Sequence, residues 1–202
     1  MIKEACIENF HEALSAQLSG ADRVELCENL AAGGTTPSYG TIKACVENLD
    51  IPVFVMIRPR GGNFCYSPQE LEIMKTDIAV CKQMGVPAVV LGLLANDGCI
   101  DEEHTRELIS FAHPMQVTFH KAFDELGDPF EGIETLIRLG ADRILTSGTK
   151  TTAEEGMHIL NRIIEKANGR ITIVAAGKVT ANNLPELSRM IHATEFHGKK
   201  IV

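Results

Sequence analysis

A chain of 202 residues, 45% of them hydrophobic, is long enough for one domain with a sizeable core. Its formal charge of −8, from 19 Lys/Arg against 27 Asp/Glu, and the lack of any Lys/Arg-rich run argue against nucleic acid and anionic membrane as partners. No apolar stretch approaches the roughly 20 residues of a membrane helix, and Met1–Cys6 lack the apolar run of a signal peptide, so a cytoplasmic location is expected.

The elements alternate along the chain. Apolar, β-branched runs begin near Ile2, Arg23, Val53, Ala88, Gln116, Arg143, Ile171 and Thr194. Helical patterns with start signals lie between several of them: Ser67-Pro68 before Gln69–Met84, Asp101 before Glu102–Ala112, and Asp128-Pro129 before Phe130–Leu139. Thr151 before Thr152–Ala167 and Thr180 before Ala181–Ile191 follow the same rule. Strands alternating with helices predict a parallel sheet wound by right-handed crossovers, and eight strands predict a closed (β/α)8 TIM-type barrel, a single domain over residues 1–202. Gly20-Ala21-Asp22-Arg23-Val24 recurs as Gly140-Ala141-Asp142-Arg143-Ile144. Each copy closes a helix on a glycine and enters a strand, which puts Asp and Arg at the N-terminal rim of the barrel, where stability is the expected role.

Several strands alternate instead of running apolar. Arg23, Glu25 and Cys27 share one face of strand two; Phe54, Met56 and Arg58 share one of strand three. Gln116, Thr118 and His120 do so on strand five, and Glu195 and His197 on strand eight, with Glu4 and Cys6 matching on strand one. The opposite faces are apolar and must meet the helices, so the polar set points into the barrel. Buried charge demands pairing, and Glu4, Glu25 and Glu195 balance Arg23, Arg58 and Arg143. Glu25, Arg58 and His120 fall toward the C-terminal ends of their strands, where barrels place chemistry. Arg58–Ser67, with its Arg-Pro-Arg-Gly-Gly run, is the longest expected segment without a helix.

The six cysteines, at 6, 27, 45, 65, 81 and 99, lie 16 to 21 residues apart, so no C-x-x-C pair offers a structural zinc site or a thioredoxin-type motif. A core of this size needs no disulfides, and reduced thiols are expected. Cys45 and Cys81 fall in helices and read as packing; Cys99 sits in a turn.

Four segments together carry a resemblance: Arg23–Cys27 followed by Gly33–Ser38, Arg58–Ser67, Val117–Asp124, and Ile144–Gly148. They resemble the CutC family, named for copper homeostasis and built on a (β/α)8 barrel. The chain departs from the family pattern at Lys121, where Arg is more usual, and at Gly177-Lys178-Val179. It stops just after strand eight, so a barrel lacking the usual last helix is expected, with apolar surface beside strands one and eight for a partner or a second copy of the chain to cover.

Two chemistries stay open. The resemblance implies Cu(I) handling, without an organic cofactor. Soft thiolates suit Cu(I), and Cys27 and Cys65 are the best-placed thiols, with Cys6 as a third and His120 or His197 nearby. The residues themselves also fit an enzyme acting on a small anionic metabolite. Arg58, Arg60 and Lys121 gather positive charge, and Ser147, Gly148 and Gly177 offer backbone N–H groups after strands six and seven. Glu25, His120 and Asp124 supply acid–base groups and His197 a further contact. The bland alternatives are that Arg58 only neutralises Glu25 and that Asp124 only caps the next helix.

Overall fold

The computed structural model describes residues 1–202. Eight parallel strands close into a barrel in sequence order: β1 (Ile2–Ile7), β2 (Arg23–Leu26), β3 (Val53–Met56), β4 (Ala88–Leu91), β5 (Gln116–Phe119), β6 (Arg143–Thr146), β7 (Thr172–Ala175) and β8 (Glu195–Gly198). Around them lie α1 (Phe10–Leu18), α2 (Tyr39–Asn48), α3 (Pro68–Gln83), α4 (Glu102–Ala112), α5 (Pro129–Leu139), α6 (Ala153–Ala167) and α7 (Leu184–Met190). No helix is long and apolar enough to cross a membrane.

The helices begin where side chains satisfy their free N–H groups. Ser67 and Thr152 each form a reciprocal capping box, with Glu70 and Glu155. Asp101 and Asp128 accept from the first turns of α4 and α5. Thr152, rather than Thr151, therefore caps α6. The last helix starts at Leu184 instead of Ala181, because Asn183 folds back to accept from the Thr180 N–H and the Ala181 N–H donates to Lys200. Helices α1 and α2 start on Asn9 and Ser38, whose side chains accept from the Glu12 and Thr41 N–H groups. α1 buries little more than Ala13 and Ala16, so its apolar stripe is faint.

The repeated Gly-Ala-Asp-Arg motif does one job twice. Gly20 and Gly140 take positive φ at helix ends, where a side chain would be strained. Asp22 then accepts from the Lys3 N–H at 2.7 Å, and Asp142 accepts from the Val117 N–H at 2.8 Å. Each aspartate pins the start of its own strand to the strand before it.

The core divides between the outside and the inside of the barrel. Outward-facing residues such as Val24, Leu26, Val53 and Val55 pack against the helices. Cys6, Cys27, Phe54, Met56, Ala88 and Val90 form a distinct cluster inside the barrel. The polar faces of β1, β2, β5 and β8 point into that same interior, except that Gln116 at the lower end is exposed.

The barrel closes through β1 and β8, which pair from Ile2↔Glu195 to Ala5↔Gly198. The outer face there is not bare as expected: Ala5, Ile7 and Phe196 are buried, sharing one cluster with α1 and with Ile201 of the final residues. Helix α1 and the final residues cover the seam, leaving a groove of about 270 Å³ bordered by His11, Ser15, Lys199 and Val202.

Candidate functional site

Strand register stacks the interior side chains into layers. Glu4 pairs in register with Arg23 and with His197, and Cys6 with Glu25. In the lower layer the Arg23 guanidinium donates to both Glu4 and Glu195. Arg143 lies 3.3 Å from Glu195. Both guanidinium groups stack on the Phe54 ring, at 4.7 and 5.1 Å from its centre. Two carboxylates and two guanidinium groups thus neutralise one another at the floor. Arg58 takes no part in this balance. It donates to the Ala32, Gly34 and Gly62 carbonyls, stacks on Phe64, and makes no ion pair, with Glu25 or any other carboxylate. His197 stands in its place: Nδ1 meets Glu4 at 2.8 Å and Nε2 approaches Glu25 at 3.7 Å.

Above this floor sits a thiol chamber. Cys6, Glu25 and Cys27 are all buried, and their ligand-type atoms lie within 4.8 Å of one another. The Cys27 thiol donates to Glu25 at 3.5 Å. The electrostatics are coupled. The hydrogen bond from Cys27, then His197, pulls the Cys6 thiol well below its ordinary range, while that same bond and burial push Cys27 up. Burial disfavours a charged His197, but Glu25, Cys6 and Glu4 outweigh it and hold the imidazolium. Burial also pushes Glu25 well up, with Cys6 and Glu4 adding to it. For Glu4 burial acts upward too, yet His197 and Arg23 bring it down to about 2. One thiolate beside one imidazolium, with a second thiol and an acid in reach, is a soft donor set.

The chamber forms part of a cavity of about 190 Å³ that also includes His120, Lys121, Phe64, Leu145 and Met56. It shares Gly33, Phe64 and Lys121 with a wider mouth of about 950 Å³. His120 is 3% exposed, and burial with the Arg58 charge lowers its pKa to about 3. It fits only because position 92 is glycine: a Cβ there would come within 2.4 Å of its Nδ1.

The structure gathers some of the expected residues and separates others. Glu25, Cys27, His120, Lys121 and His197 line one cavity, and Cys6 joins them. Arg58 lies in the mouth above. Arg60 is turned away, donating to Glu70, Asn63 and the Cys65 carbonyl, so it holds the loop in shape. Cys65, half-buried, packs with the outer cluster around Phe119 and Phe123. Asp124 neither caps α5, which is Asp128's role, nor is free for proton transfer. It accepts from Lys121 Nζ, Thr146 Oγ1, the Ser147 hydroxyl and the Ser147 and Thr149 N–H groups. The N–H groups of Ser147 and Gly148 are committed to Asp124 and Thr146, leaving neither for an anion. Gly177 is there for close packing: a Cβ would lie 2.8 Å from that of Ser147.

Comparison with known proteins agrees with this architecture. The profile of the CutC family matches residues 1–202. The copper homeostasis protein cutC homolog of Homo sapiens is 46% identical over 196 residues, 97% of this chain and 72% of that protein. A CutC family protein of Histophilus somni (strain 2336) is 46% identical over 194 residues, 96% of this chain and 80% of that one. The crystal structure of CutC from Streptococcus agalactiae superposes with a TM-score of 0.96 at 38% identity, covering 100% of both chains. With a family profile matched from Met1 to Val202 and relatives at this identity, the chain belongs to the CutC family.

Proposed function

We propose that this protein serves copper homeostasis in the cytosol by binding Cu(I) in the barrel interior, with Cys6 and Cys27 as sulfur donors. The observation that carries the reading is the buried convergence of Cys6, Cys27 and Glu25 within 4.8 Å. Soft thiolates favour Cu(I) over harder divalent ions. The hydrogen bond from Cys27, and after it the His197 imidazolium, favours a Cys6 thiolate, the form a metal takes. The guanidinium groups below are matched by Glu4 and Glu195, so they do not oppose a cation. The names of relatives that carry copper homeostasis fit this chemistry. Cys65, outside the chamber, is not part of the proposed donor set.

Competition against a Cu(I) chelator tests the reading on reduced, purified protein. One equivalent should bind, Cys6→Ser and Cys27→Ser should each weaken it severely, and Cys65→Ser should leave it unchanged. If neither chamber variant alters the affinity, these sulfurs do not hold copper.

A further inference from the structure

Two buried donors in the upper part of the site have no partner: His120 Nε2 and Arg58 Nε. The His120 Nδ1 accepts the Ala122 N–H at 3.2 Å, which places the ring proton on Nε2. The ring lines the cavity of about 190 Å³, together with Phe64, Leu145 and Met56 and with the Cys6, Glu25 and Cys27 groups of the thiol chamber. An unpaired buried donor is unfavourable. Arg58, 4% exposed, is a buried cation whose hydrogen bonds go only to backbone carbonyls. A charge so placed calls for a counter-ion.

We propose that this upper cavity binds a small oxo-carboxylate, its carbonyl oxygen accepting from His120 Nε2 and its carboxylate facing Lys121 and Arg58 at the mouth. Lys121 lies on both the cavity and the mouth. The acids of the mouth do not oppose this placement strongly. Asp124 is saturated with donors, Glu155 is folded into the α6 capping box, and Glu125 is exposed to water. At about 30 Å³ per water-sized group, the whole cavity of about 190 Å³, thiol chamber included, holds about six, which limits the ligand to one no larger than pyruvate.

The test follows the His120 ring in histidine-labelled, reduced, copper-free protein by long-range 1H–15N NMR. Pyruvate at millimolar concentration should shift the Nε2 resonance saturably, whereas neutral hydroxyacetone should not. Lys121→Gln, on the exposed rim, should weaken pyruvate by about tenfold or more, the loss expected for one charge-assisted contact. The proposal is overturned if pyruvate, lactate and 2-oxoglutarate all leave the resonance in place, or if the ring proton sits on Nδ1. It is overturned equally if hydroxyacetone binds as well as pyruvate, or if Lys121→Gln binds pyruvate unchanged. With no copper in the assay, such a failure leaves the thiol reading standing.

Discussion

Substituting His120 by Gln isolates the consequence of burying a neutral imidazole. The unfolded chain protonates this histidine near its ordinary pKa of 6.5, whereas the folded protein holds it at about 3. Between those values the unfolded state binds one more proton than the native state, so stability declines as pH falls, by about 1.4 kcal/mol per pH unit. Above pH 6.5 both states carry the neutral ring and the group contributes nothing. Lowering the pH from about 7.5 to about 4.5 therefore removes about 3 kcal/mol from the wild type through this one residue. Gln does not titrate and lacks that loss. Urea denaturation of both proteins at half-unit pH steps measures the difference. Whatever the substitution does to stability at pH 7, the gap between the two curves should move by about 3 kcal/mol in favour of His120→Gln on acidification. The main acid-limb contribution of Glu4, lost between its ordinary 4.5 and about 2, and the opposite-signed contribution of His197 are common to both proteins and cancel. Parallel curves would show that His120 is protonated freely in the folded state, and the account of a fixed neutral donor would fail.

Two further outcomes test the interior. Arg23→Met leaves the Glu4 and Glu195 carboxylates short of their shared cation and should lower unfolding free energy by about 3–5 kcal/mol, measured in urea. A near-neutral result would mean that the floor network does not need its charge. Gly92→Ala forces a Cβ against His120 and should destabilise by about 1–3 kcal/mol, visible as a lower melting temperature. Gly40→Ala, in the first turn of α2 with open space at its Cβ, should instead leave the melting temperature unchanged or raise it. Equal effects at the two positions would remove the steric argument for Gly92.

The barrel was legible because its physics is periodic. Two-residue alternation on Arg23–Cys27 and Thr118–His120 marked which side chains enter the interior, and Asp101 and Asp128 marked helix starts to within a residue. The resemblance carried by the Arg58–Ser67 and Val117–Asp124 segments led to the family that the comparisons establish. What alternation does not encode is the direction taken by a long side chain at a strand end. Arg58 was placed on the correct face, yet its guanidinium reaches the 32–34 and 62 carbonyls because loops fold over the mouth there. His197, rather than Arg58, supplies the charge facing Glu25 for the same reason. Cys65 reads as well placed because it lies in the loop after a strand, but Arg60 holds that loop through the Asn63 and Cys65 carbonyls and Cys65 packs beside Phe119 and Phe123. The β1–β2 register sets Cys6 opposite Glu25, and this brings its sulfur near that of Cys27, 21 residues away in sequence. The role of Gly92 had one available signal, a lone glycine between Leu91 and Leu93 at a strand end.

The thiol chamber is the centre of the functional account, and X-ray absorption at the copper edge of Cu(I)-loaded protein probes it most directly. Two sulfur neighbours should appear around copper in the wild type and in Cys65→Ser, and only one or none in Cys6→Ser and Cys27→Ser. A spectrum with nitrogen and oxygen neighbours alone, or one unchanged when Cys6 and Cys27 are both replaced, would contradict copper binding by this pair.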